Sequence, residues 1–94
     1  MDVLAKYLAD SEKARLAGVY TSDRNDSVDI LLEQGFLTFK RKGMRFSRSL
    51  IHLGDRVFFP IGAQAVRIRF VETGAVITLT ISDGDLVFVA AKRG

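Results

Sequence analysis

Residues 65–92 read AVRIRFVETGAVITLTISDGDLVFVAAK. Val66, Ile68 and Phe70 alternate with Arg67 and Arg69, and Thr73-Gly74 turns the chain. Ile77, Leu79 and Ile81 then alternate with Val76, Thr78 and Thr80, and Asp83-Gly84 turns it back. A period of two sends successive side chains to opposite faces of a strand, and glycine-bearing dipeptides supply the left-handed backbone that tight hairpins need. The stretch therefore predicts three consecutive antiparallel strands, Ala65 to Val71, Val76 to Ile81 and Asp85 to Lys92. In the last of these both faces are apolar, Leu86, Phe88 and Ala90 on one and Val87, Val89 and Ala91 on the other, which predicts cover on both sides.

The same rhythm extends toward the N-terminus. Gly35, Gly43, Gly54, Gly62, Gly74 and Gly84 lie 8, 11, 8, 12 and 10 residues apart. The gaps read as further strands: Val19 to Thr21, Ser27 to Glu33 with Val28, Ile30 and Leu32 inward, Phe36 to Arg41 with Leu37 and Phe39 inward, Met44 to Leu53, and Arg56 to Phe59 stopped by Pro60. Before them Val3, Leu4, Tyr7 and Leu8 recur at helical spacing behind Asp2, a capping residue, and Ser11 to Leu16 keeps helical composition up to Gly18. Asp10-Ser11 either interrupts that helix or continues it. The expected architecture is all-β, an antiparallel up-and-down barrel of about eight strands with one N-terminal helix, as a single domain 1–94 (helix 1–17, barrel 18–94). The narrow apolar stripe of the helix suits a plug or cover at the barrel mouth or edge.

Ninety-four residues support one modest core. With seven Phe available, the interior of an eight-stranded barrel should be mostly filled, which disfavours a sizeable ligand cavity. The absence of Cys removes disulfides, thiolate metal sites and cysteine nucleophiles. No uncharged run exceeds ten residues, and one of that length, Val57 to Val66, contains Pro60 and Gly62, so none is long enough for a helical membrane span. Met1-Asp2-Val3-Leu4 lacks the basic and apolar regions of a secretory signal. A net charge of +3 is mildly basic and fixes neither partner nor compartment.

Lys40, Arg41, Lys42, Arg45 and Arg48 cluster around Phe39 and Phe46, and Arg67 and Arg69 share a strand face, so these seven are the candidate anion-binding residues. Cations with exposed rings would suit nucleic acid, but the alternation turns Phe39 and Phe46 inward, which favours a solvated hairpin and argues against nucleic acid. His52 is the one histidine and reads as turn-flanking. Asp23-Arg24-Asn25-Asp26 and Asp83-Gly84-Asp85 hold oxygen ligands without a calcium loop's full pattern, and read as turns. No serine sits in a G-x-S-x-G or S-x-x-K context, and nucleotide-binding glycine patterns are missing. The expectation is no catalytic residue, no metal and no cofactor.

Leu16-Ala17-Gly18-Val19-Tyr20, Gly35-Phe36-Leu37, Leu53-Gly54-Asp55 with Phe58, Arg67-Ile68-Arg69-Phe70 and Gly74-Ala75-Val76-Ile77-Thr78-Leu79 occur in that order. In this series Leu16 to Arg93 resembles the lipocalin-like β-barrel domain found C-terminal to the catalytic domain of serine hydrolases of the β-lactamase and penicillin-binding-protein type. That domain typically opens Tyr-x-Gly-x-Tyr, and here Leu16 replaces the first aromatic. The resemblance implies a non-catalytic accessory or regulatory module acting by contact with a hydrolase domain or another protein. The alternatives are a small-ligand carrier and a polyanion binder using the basic hairpin.

Overall fold

The computed structural model describes residues 7–93. Its elements are α1 (Asp10–Leu16) followed by β1 (Gly18–Thr21), β2 (Ser27–Glu33), β3 (Phe36–Arg41), β4 (Arg48–Gly54), β5 (Val57–Pro60), β6 (Arg67–Thr73), β7 (Val76–Asp83) and β8 (Leu86–Arg93). Each strand pairs with its sequence neighbours, and β8 returns to β1, so the sheet is a closed antiparallel barrel. The expected class and strand count are those observed.

The barrel has two ends. One carries the tight turns β2–β3, β4–β5 and β6–β7 together with α1. The other carries the connections β1–β2, β3–β4, β5–β6 and β7–β8. At the first end, Gln34-Gly35 and Asp55-Arg56 each place two residues at positive φ, the backbone of a two-residue hairpin whose twist matches the strands it joins. Arg56 adopts φ 61° without being glycine.

The interior is the alternating apolar set. Tyr20, Val28, Ile30, Leu37, Phe39, Leu50, Phe58, Ile68, Phe70, Ile77, Leu79, Ile81 and Ala90 are all buried. Through its middle runs an aromatic chain. Tyr20 meets Phe70 edge-on at 5.7 Å between centroids, Phe70 meets Phe58 at 5.5 Å, and Phe58 lies against the His52 ring at 4.8 Å. Such tilted and edge contacts match the ring quadrupoles and add to the area buried.

Several local expectations differ from the fold. The helix is shorter than 1–17: residues 7–9 are not helical, Ala9 is the extended N-cap, and Asp10 begins the helix rather than interrupting it. The proposed Asp2 cap and the Val3 and Leu4 contacts lie outside the described residues. Seven helical residues are too few to persist alone, so α1 depends on its docking. The strand read from Met44 begins only at Arg48, and residues 42–47 form a loop in which Phe46 is 78% exposed, not inward. Leu32 is 43% exposed because its part of β2 reaches past the core toward the turn. Thr38 is buried although it points outward, because its hydroxyl donates to Glu33 Oε1 at 2.7 Å and the Glu33 side chain lies over it.

Candidate functional site

At the turn-rich end, α1 is a plug. Leu16 is fully buried, and the Tyr20 hydroxyl donates to its carbonyl at 2.6 Å. Lys13 Nζ donates to the Gly35 carbonyl at 2.8 Å, and Lys92 Nζ to the carbonyls of Arg15 (2.7 Å) and Ala17. Gly18 permits the last contact: at φ 147°, a Cβ there would sit 2.7 Å from Lys92 Cδ. Arg56 binds Glu12 at 2.8 Å and Glu72 at 3.3 Å, and Glu72 also pairs with Arg15. The hydrogen bond from Arg15 is the main reason that the Glu72 carboxyl is held below its ordinary range, and the same contact raises the Arg15 guanidinium. These partners lie 16 to 57 residues apart, so no local motif announced them.

His52 belongs to this end as well. It does flank the β4–β5 turn, accepting the Arg56 N–H at Nε2 (3.3 Å), but its ring is buried on Phe58. Among the described residues no group of three or more His, Asp or Glu side chains could hold a metal ion.

The opposite end is open. There Phe39, Arg41, Arg48, Pro60, Ile81 and Phe88 help line a cleft of about 500 Å³. A smaller cleft of about 170 Å³ lies at the plugged end between Leu8, Lys13 and Gly35 and the buried Leu37, Leu50 and Phe58. Arg41 stands opposite Val28 in the β2–β3 register and Arg48 opposite Phe39 in the β3–β4 register, and both of those partners are buried. The two arginines therefore occupy inward-facing positions. Arg41 reaches across the mouth to lay its guanidinium 4.4 Å from the centre of the Phe88 ring, and Arg48 donates to the Ile61 carbonyl at 3.2 Å. The alternation that turns Leu37 and Phe39 inward does the same for residue 41, so that part of the site was readable from β3.

The seven candidate anion-binding residues do not form one surface. Arg41 and Arg48 share the mouth. Lys40, Arg41 and Lys42 border a separate shallow cleft of about 230 Å³ that also holds Asp29, directly opposite Lys40. Arg67 donates to the carbonyls of Gln64 and Val66, and Arg69 lines a third depression beside Val57 and Asp55. Arg45 lies with the exposed Phe46 in the β3–β4 loop. The exposed ring removes one argument against nucleic acid, yet the cations still trace no continuous stripe.

A second feature is the outer face of β8. Val87 and Val89 are 64% and 52% exposed. Their cross-strand neighbours on β7 are Ser82 and Thr80, while Ala91 lies between Thr78 of β7 and Thr21 of β1. None of these seven side chains is charged. β1 ends at Thr21 and meets β8 at Ala91, so among the described residues Leu86 to Ala90 are paired in the sheet on the β7 side alone. The expected second cover for β8 is therefore not supplied by α1, which packs at the end of the barrel beside β2.

No family model, curated protein or solved structure matches the chain.

Proposed function

We propose that this barrel is a non-catalytic accessory module that acts by contact with a protein partner, and that the outer face of β8 is its contact surface. The observation that carries this reading is the pairing of a two-faced apolar strand with only one covered face. Val87 and Val89 stand in solvent within an uncharged stripe, beside a length of unpaired strand edge. Sheet edges in free-standing proteins are usually protected by lysine, proline, bulges or a covering element, and Leu86 to Ala90 carry no charge and no proline. A partner strand or loop laid there would satisfy the free backbone groups and remove the valines from water. The partner class that the sequence resemblance implies is a serine hydrolase domain of the β-lactamase type.

The test is to combine the barrel with any such S-x-x-K hydrolase domain encoded beside it, and to follow amide exchange along β8. Slowed exchange at Leu86 to Val89, lost in a V87K/V89K variant that keeps its thermal transition, is the expected result. Protection confined to another face, or no association at concentrations of about 100 μM, well above those of transient interfaces, removes the reading.

A further inference from the structure

The open mouth shares Leu86 and Val87 with the β8 strand, but its chemistry differs from that of the outer face and is more specific than an apolar hole. Continuing the interior up β3 and β4 by the same alternation that buries Leu37, Phe39 and Leu50 would call for apolar side chains at positions 41 and 48. Both are arginine. Both residues are exposed at the rim of the cleft, so water reaches their free donors and an incoming carboxylate would take its place. Among the described residues neither Arg41 nor Arg48 forms a salt bridge, and the hydrogen bond from Arg48 to Ile61 and the stacking of Arg41 on Phe88 leave most of their donors without an acceptor. The Phe88 ring, 4.4 Å from the Arg41 guanidinium, holds that cation at the mouth, where its fork can meet an oxyanion. Below the cations the walls are Phe39, Pro60, Ile81 and Phe88, with no charge among them. Asp83 also lines the cleft, on the β7 side, so only an anion small enough to stay on the arginine side avoids its charge.

We propose that the mouth is a binding site for a small aliphatic monocarboxylate, its head group held by Arg41 and Arg48 and its hydrocarbon stem laid on Phe39, Ile81 and Phe88. The cleft, at about 500 Å³, lies within the roughly 300–1,000 Å³ that small-molecule sites occupy. Charge-assisted contacts to a carboxylate should discriminate against a neutral chain of equal length by about tenfold or more.

The experiment titrates the full chain with decanoate, below its micelle concentration, while amide and Arg Nε resonances are recorded. Saturable shifts at Arg41, Arg48 and Phe88 are expected. Decanol should bind about tenfold more weakly, as should decanoate to an R41Q/R48Q variant. Because the decanol comparison is made on the unaltered protein, it stands even if that variant folds poorly. Equal binding of decanoate and decanol overturns the proposal, as do shifts centred on Leu8, Lys13 and Gly35 at the plugged end or no saturation at all. Tighter binding of a short apolar peptide through its free C-terminus also overturns it, because the occupant would then be a chain end.

Discussion

The two ends of this barrel are built from the same strands and finished in opposite ways. At the plugged end the inward residue nearest the opening is covered by a helix, and polar groups meet polar partners: Lys13 and Lys92 on backbone carbonyls, and Arg15 and Arg56 on Glu72. At the mouth the inward positions carry Arg41 and Arg48, and Phe46, Ile61 and Leu86 stand exposed around them. One helix can close only one end of a cylinder. The two ends differ in finish: paired charges and a buried leucine hold the fold at one, while exposed arginines and wet apolar surface rim the other.

The sharpest way to break that comparison is to truncate a leucine at each end. Leu16 is the fully buried residue of the plug, and L16A should lower unfolding free energy by about 2–5 kcal/mol, the cost of a buried leucine with its cavity. Leu86 is 74% exposed, so L86A should stay within about 0.5 kcal/mol of the parent. Urea unfolding of the two variants measures both. Similar losses would mean that the mouth is as structural as the plug.

A smaller effect tests how the plug is fastened. The Tyr20 hydroxyl is the donor to the Leu16 carbonyl, so Y20F leaves a buried acceptor unpaired and should cost about 1–3 kcal/mol. Burial also pushes the Tyr20 phenol well above its ordinary value of 10.0. The unfolded chain then ionises first, so stability is intact below that value and falls as pH rises past it. Y20F should remove most of this alkaline loss, read as urea midpoints from neutral pH to about pH 11. An unchanged alkaline slope would show that the ring is open to water.

What the sequence disclosed follows the range of each signal. Strand alternation is local, and it located β2 and β3 to the residue and placed the β6, β7 and β8 hairpins within about two residues, the usual play at element ends. It failed between Met44 and Ser47, where Phe46, Leu50 and Ile51 among arginines and serines suggested one strand from Met44 to Leu53. With β3 ending at Arg41 and β4 starting at Arg48, that segment is instead a loop that exposes Phe46. Alternation also could not say that the outer valines of β8 would lack a cover, since that depends on where a helix from the other terminus docks. The ion cluster of Glu12, Arg15, Arg56 and Glu72 was illegible for the same reason, being assembled from a helix, a turn and a strand end. The arginines at the mouth were half legible. Their composition stood out, but grouping them with Lys40, Lys42 and Arg45 as one charged run hid the fact that Arg41 and Arg48 take the inward positions.

The finest comparison is between two carboxylates whose acidity is shifted in the same direction by different neighbours. Glu72 is held below the usual value of 4.5 chiefly by its hydrogen bond from Arg15, with Arg56 assisting, at the plug; Glu33 is held below it by hydroxyls of Thr38 and then Ser47, on the barrel wall. In both cases the unfolded chain takes up its proton first. Their contribution is therefore present above about pH 4.5 and is lost as pH falls through the lower folded value. E72Q and E33Q should each be less stable than the parent at neutral pH, and each difference should close in strong acid. Salt separates them: the Glu72 pairs are ionic and partly exposed, so the deficit of E72Q should shrink in concentrated sodium chloride, whereas that of E33Q, which rests on neutral donors, should change less. Equal salt responses would mean that the ion cluster contributes nothing as charge, and that α1 is held by Leu16 and backbone contacts alone.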